Sequence, residues 1–148
     1  MMAQDIILVK NLYKIYGPNP EGAISLIKKG SPKERIREKT GNIVGVNNGS
    51  FKVKKGEIFV IMGLSGSGKS TLLRCVNRLV KPTCGKIIVG KIDVTAANKK
   101  ALLQFRRKET AMVFQDFALF PHMSVIENVK YGLDVQNVKK GEKNTKSE

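Results

Sequence analysis

The stretch GLSGSGKST, Gly63 to Thr71, lies directly behind the apolar run EIFVIM and directly ahead of the amphipathic run LLRCVNRLV. Few features restrict a chain more. A linker has no use for a lone lysine, and a simple turn needs fewer residues. Gly63, Gly66 and Gly68 free the loop of β-carbons at intervals, so its backbone can wrap closely around a ligand. Successive backbone N–H groups in such a loop converge on a concavity that suits anions. A helix beginning at the end of the loop aims its N-terminal dipole at the same place. The surrounding fold must therefore supply a strand before the loop and a helix after it.

The spacing matches G-x-x-x-x-G-K-[ST], the phosphate-binding P-loop, and each residue type has a physical reason. Leu64, Ser65 and Ser67 complete the loop and contribute backbone amides alongside the three glycines. Lys69 is a compact positive charge that reaches the β- and γ-phosphates. Ser70 offers a hydroxyl to Mg²⁺. Thr71 adds a second hydroxyl. A merely flexible glycine turn is the rival reading, and the flanking strand and helix patterns argue against it.

Periodicity organises the rest. Ile6 to Leu12 reads as a strand ending near Gly17. Residues 18–42, PNPEGAISLIKKGSPKERIREKTGN, read as two helical pieces. In the second, Ser31 suits the N-cap, Pro32 the first helical position, Glu34 a capping box and Gly41 the C-terminal end. Ser50 to Val53 and Glu57 to Met62 read as strands around a KKG turn. Thr71 to Val80 has helical spacing and stops before Pro82. GKIIVGKIDV reads as a strand, a glycine turn and a short extended piece. Lys99 to Lys108 is an expected helix with Leu102, Leu103 and Phe105 inward. Ala111 to Phe114 is an expected buried strand. Ser124 and Glu127 form a capping box for a last helix. A mostly parallel sheet wrapped by helices, with an antiparallel N-terminal β-subdomain, follows from this order.

At 148 residues the chain is one domain or less. Its longest apolar run is far too short to span a bilayer. Cys75 and Cys84 lack metal-ligand spacing and read as free thiols. The net charge of +15 is concentrated over residues 51–100, which carry +9. Such a balance suits a phosphorylated ligand, nucleic acid or anionic lipid. No ladder of aromatics runs through the basic segments, which argues against stacking on single strands.

Two further stretches carry a resemblance. MVFQDFALFPHMSVIENV, Met112 to Val129, together with GLSGSGKSTLLRCVNRL and the aromatic in KIYG, resembles the ATPase subunit of ABC transporters. The resemblance implies that Gln115 is the Q-loop glutamine, which touches Mg²⁺ and the nucleophilic water in a loop that meets the membrane subunit. It implies that Tyr16 is the A-loop aromatic that stacks on adenine. His122 is read as a structural or surface residue, not the family's switch histidine. The 25 residues between KIYG and the next strand, followed by GVNNGSFKVKKGEIFVIMGLSGSGKST, resemble the ATPase of glycine betaine/proline importers. The resemblance runs from about Ile6 to Gly132. It departs at GKIIVGKIDV, where the family's Asp-Gly hairpin is one residue short.

The resemblance implies an α/β P-loop NTPase core of the ABC ATPase type with an antiparallel β-subdomain, incomplete at the C-terminus. Residues 18–42 would be a subfamily-type helical insert and 133–148 the start of a helical subdomain. The implied activity is ATP hydrolysis with Mg²⁺ coupled to osmolyte import, at the cytoplasmic face of the membrane. Lys69 and Gln115 would be catalytic, and Ser70 and Gln115 would hold the metal. The implied partners are a transmembrane permease, a second ATPase subunit arranged head to tail, and an extracytoplasmic substrate-binding protein. Nucleic acid is not expected. LSGGQ, an apolar run ending in Asp-Glu, and the switch histidine do not occur in the 148 residues. The family places all three further along, so this chain alone is expected to bind nucleotide weakly and scarcely hydrolyse it. A nucleotide binder without turnover and a nucleic-acid-associated ATPase of the same superfamily are the alternatives. A GTPase would need an N-K-x-D motif, which does not occur.

Overall fold

A computed structural model describes residues 4–115 and 118–136. The chain divides after Asn98 into two compact units. The first contains β1 (Asp5–Tyr16), α1 (Pro20–Lys28), α2 (Lys33–Thr40), β2 (Ile43–Lys54), α3 (Lys69–Val76), β3 (Cys84–Val89) and β4 (Ile92–Asp93). The second contains α4 (Lys99–Lys108) and α5 (Val125–Val135). The strands form one sheet in the order β2-β1-β3-β4, antiparallel at every pair.

β1 is longer than its sequence pattern suggests because it is bulged. A regular strand buries every second residue, whereas here Val9, Leu12 and Ile15 are the buried ones. The register against β2 shifts between Val9 and Leu12, and again on either side of Lys14. Asn11 sits at φ 47 in the first of these shifts, and across from it Asn48 has φ 50. Asparagine tolerates this left-handed conformation through local hydrogen bonds. Asn11 Nδ2 donates to Asn48 Oδ1 at 3.0 Å, and Asn11 N–H donates to Ser50 Oγ at 2.8 Å. The β3–β4 hairpin turns through Gly90 and Lys91, with Val89 opposite Ile92. Gly90 has φ 58 and no positive φ occurs at Lys91, the pattern of a two-residue type II′ turn.

The residues between β1 and β2 form the expected pair of helices. Asn19 caps α1, its side chain accepting from Gly22 N–H at 2.9 Å, and Pro20 occupies the first position. Ala23 of α1 and Ile36 of α2 pack with Ile15 and Val44 of the strands in one buried cluster. Full burial of a side chain the size of Ile36 contributes ~2 kcal/mol, which anchors an otherwise very polar helix. The N-terminus of α2 differs from expectation. Pro32, not Ser31, is the N-cap, in extended conformation and with no side-chain hydrogen bond. Pro32 itself is extended, at ψ 157, so the helix begins one residue later and Ser31 lies outside the cap. Gly41 closes α2 as expected, at φ 67, with its N–H on Arg37 O at 2.8 Å.

The base of this insert is closed by one side chain. Asn42 is fully buried, at 0% exposure. Its Nδ2 donates to Asn19 O at 2.7 Å, and its Oδ1 accepts from Asn19 N–H at 3.2 Å. Gly17 makes room for it: a β-carbon there would collide with Asn42 Oδ1.

Two expected strands do not form. Glu57–Met62 and Ala111–Phe114 belong to no sheet among the described residues. Ile58 is 91% exposed and Val113 94%. Only Phe59 finds a ring partner, stacking on Phe51 with centroids 4.9 Å apart. A run that is apolar on both faces signals a strand bracketed on each side. The antiparallel sheet is built wholly from other segments. α3 starts two residues earlier than expected and stops at Val76, with Arg78 beyond it at φ 55. Leu103, expected inward, is exposed, while Phe105 is buried as expected. Cys75 and Cys84 are free, and burial pushes the Cys75 thiol up from its ordinary value. Of the expected subdomain start at 133–148, residues 133–135 continue α5, and residues 137–148 lie outside the described residues.

The capping box at Ser124 is present. Ser124 N–H and its hydroxyl both donate to Glu127 Oε2, at 2.8 and 2.7 Å. These bonds, the backbone one first, hold the Glu127 carboxyl below its ordinary value. A group whose folded value is lowered stabilises the fold above its unfolded value and loses that effect as pH falls through the folded one. An NMR titration should give Glu127 a midpoint below that of an ordinary glutamate, with α5 amide protection declining through the same range. A midpoint at or above the ordinary value would show that the box is not formed. Separately, Asn42→Ala removes both bonds to Asn19 and should lower stability by about 1–3 kcal/mol in urea unfolding. An unchanged midpoint would show that the clamp contributes nothing.

Candidate functional site

The loop between Met62 and α3 is irregular backbone made accessible by glycine. Gly66 has φ 74 and Gly68 has φ 99, both in the region that side chains disfavour. Gly68 is also the N-cap of α3, and no side chain caps that helix. The first-turn N–H groups of a helix have no intrahelical partners. Without a capping side chain they are free for an anion, and the helix dipole favours one there. Gly68 has a second reason to be glycine: a β-carbon would collide with Gly45 O of β2. Lys69 folds across the loop, its ammonium donating to Gly63 O at 2.8 Å and to Leu64 O at 2.7 Å. That places a full positive charge at the mouth of the loop.

A cavity of about 240 Å³ opens beside it. The structure brings Tyr16, Gly66, Gly68, Lys69, Ser70 and Thr71 together around this space. Tyr16 ends β1 and is 39% exposed, with the Lys14 ammonium 4.5 Å from its ring centroid. Gly63, Leu64, Ser65 and Ser67 stand in the loop but do not line the cavity; Ser67 N–H is tied to Leu64 O at 3.2 Å. Ile43, Val44 and Gly45 complete the lining, and sequence reasoning missed all three. They reach the site because β2 pairs with β1, placing Ile43 opposite Tyr16 and Val44 opposite Ile15. The readable signal was the lone glycine in VGV, since a glycine inside a strand pattern often marks close backbone approach. Ammonium, hydroxyls and unpaired amides at one end, with an exposed aromatic ring at the other, can hold a polyphosphate joined to a flat ring.

Gln115 belongs to the second unit, exposed in a turn beyond Phe114. The loop that leads into α5 is held by Asn128, another residue sequence reasoning missed. Asn128 Oδ1 accepts from Phe120 N–H at 2.8 Å, and its Nδ2 donates to the carbonyls of Phe120, Met123 and Ser124 at 3.0–3.2 Å. A hollow of about 390 Å³ lies against this loop, lined by Leu119, Phe120, Pro121, Met123, Val125, Asn128 and Val129. His122 is exposed and sits edge-on to Phe120, centroids 5.8 Å apart.

An amide-lined glycine loop running into an uncapped helix, next to a strand-borne aromatic, defines a P-loop nucleotide-binding protein. The comparisons then specify the class. The profile of the family described as "ABC transporter" matches residues 46–148, and the chain belongs to that family. It is 48% identical over 139 residues to the glycine betaine/proline betaine transport system ATP-binding protein ProV of Salmonella typhimurium, covering 94% of this chain and 35% of that protein. It is 51% identical over 137 residues to the glycine betaine/carnitine transport ATP-binding protein GbuA of Listeria monocytogenes, covering 93% of this chain and 34% of that one. The chain thus spans about a third of the length of these relatives. Among solved structures, the dimeric post-hydrolysis state of the ATP-binding cassette MJ0796, bound to ADP and Pi, superposes with a TM-score of 0.74 at 28% identity. That match covers 95% of this chain and 53% of the other. The α/β ABC ATPase fold expected from the sequence is the fold these neighbours have.

Lys69→Ala should weaken binding of ATP and of inorganic tripolyphosphate by ~10- to 100-fold, the loss expected for a charge-assisted contact. Isothermal titration calorimetry checks it. Equal affinities in the two proteins would show that the Lys69 ammonium does not reach the ligand.

Proposed function

We propose that this chain is the nucleotide-binding portion of an ATP-binding subunit that couples ATP hydrolysis to import of glycine betaine/proline-type osmolytes. The carrying observation is the cavity that Tyr16 lines together with Gly68 to Thr71. Its lining chemistry suits the base and phosphates of ATP. In this reading Tyr16 stacks on adenine. The amides of the loop and of Lys69, Ser70 and Thr71 bind the phosphates. Lys69 neutralises the terminal phosphates. Ser70, with Gln115, would hold Mg²⁺, which supplies charge neutralisation to the phosphate oxygens. The residues present fit such a group, since Ser70 lies in the uncapped first turn beside the lysine.

The osmolyte class rests on the similarity to the glycine betaine transport proteins. No helix among the described residues is long and apolar enough to cross a membrane. Membrane association in this proposal is through a permease. In this proposal the apolar hollow against the Asn128-held loop is a surface available to such a partner. A second ATP-binding subunit and an extracytoplasmic binding protein complete the proposed assembly.

Two experiments test this reading. Disrupting the gene should abolish uptake of radiolabelled glycine betaine at high osmolarity, and undiminished uptake would remove the osmolyte assignment. The 148-residue chain by itself should bind ATP with Mg²⁺ while releasing phosphate no faster than buffer. Salt-sensitive binding of DNA without nucleotide binding would instead favour a nucleic-acid role.

A further inference from the structure

We propose that Gly45 is a positioning residue of this pocket: its missing side chain sets how closely the Tyr16 ring approaches the phosphate-binding loop, and so whether base and phosphates are held at once. The inference rests on the nucleotide reading above and assigns a role to a residue outside the P-loop motif.

Gly45 lies inside β2, where glycine weakens a strand. Its backbone does not require glycine. Gly41, Gly66 and Gly68 have positive φ, and Gly45 does not. The requirement is space. A β-carbon at position 45 would lie 2.9 Å from Tyr16 Cε2, 3.1 Å from Thr71 Cγ2 and 3.3 Å from Lys14 O. Contacts that short force something to shift. Lys14 O is backbone of the paired strand β1, where Lys14 faces Val46. Thr71 is in the first turns of α3. β2 is held by its pairing with β1 on one side and lies close against Gly68 on the other. The part able to give is the half-exposed Tyr16 ring. A methyl at position 45 therefore moves the ring outward and leaves the phosphate loop in place.

The consequence is selective. Phosphate binding depends on the amides and on Lys69, and base binding on the ring. Gly45→Ala should separate the two. Gly49 is a fitting control: it is in the same strand and also lacks a positive φ. A β-carbon there would meet Val46 Cγ1 and Leu12, and Gly49 does not line the cavity.

The test is displacement of a fluorescent ATP analogue from the 148-residue chain by ATP and by inorganic tripolyphosphate, with circular dichroism to follow folding. The unaltered chain should prefer ATP over tripolyphosphate by ~10-fold, the scale of one base–aromatic stack. Gly45→Ala should lose that preference with its tripolyphosphate affinity unchanged, and Gly49→Ala should keep it. Adding Tyr16→His to Gly45→Ala supplies a smaller flat ring that clears the new methyl and should restore the preference, even where the single variant folds poorly. Retained preference in Gly45→Ala overturns the proposal. So does equal loss of both ligands, which would mean that Gly45 supports the loop and not the ring, and so does failure of the double variant to regain the preference. An unaltered chain that binds both ligands equally also removes it, while leaving phosphate binding intact. An unaltered chain that binds neither removes the nucleotide reading itself.

Discussion

The close approach of two backbones, Gly45 of β2 and Gly68 at the start of α3, is the contact on which the site depends. No side chain fits between them at position 68. Protein interiors are packed tightly enough that one added methyl group is felt. By meeting glycine to glycine, the antiparallel sheet seats the N-terminus of α3 directly against itself. The sheet thereby fixes the position of the helix dipole and of the amides at Lys69, Ser70 and Thr71. Tyr16 comes from the neighbouring strand in the same sheet, so both ends of the cavity are referred to one rigid element. A site built this way holds its geometry better than one carried on loops alone.

That arrangement also explains how the chain tolerates a helical insert between Tyr16 and Ile43, which are partners in the sheet. Lengthening a loop costs little entropy, since the cost grows only with the logarithm of length. The demand falls instead on the closure point, where an error would displace Tyr16. Asn42 meets that demand by pairing with both backbone groups of Asn19 while fully buried. The cluster of Ala23, Ile36, Ile15 and Val44 then attaches the insert to the strands that bear the site. The insert is therefore part of the packing behind the base wall.

Local rules were legible wherever the cause was local. The P-loop, the Ser124 capping box, the Gly41 helix end and the Gly90 turn each follow from a few neighbouring residues. α2 shows the limit of such reading. Ser31 and Pro32 both suit a helix start, and the choice lies in the backbone angle of Pro32, which is extended in the structure and which its sequence neighbours do not specify. EIFVIM and AMVF exposed a different limit. Their apolar character reports a preference for burial and says nothing about which segment supplies the neighbours. The bulges of β1 hid its length, because a register shift breaks the period of two on which strand reading depends. Ile43 and Val44 were missed as site residues for a topological reason, and the glycine between Val44 and Val46 was their one readable signal: the insert separates them from Tyr16 in sequence, and strand pairing reunites them.

The chemistry of the cavity divides the labour of the proposed reaction. Its polar lining consists of amides, two hydroxyls, one phenol and one ammonium. Amides and an ammonium neutralise phosphate charge in the bound ligand, and Lys69, catalytic by resemblance, would also meet charge that grows during transfer. Interactions of equal strength in both states improve binding without raising the turnover rate. Acceleration needs a group that acts on the attacking water or on charge that develops only during transfer. Gln115, assigned that contact by resemblance, is carried on the second unit, beyond an exposed apolar segment. In the proposed subunit, turnover would need a group beyond the lining of this cavity to act on the attacking water.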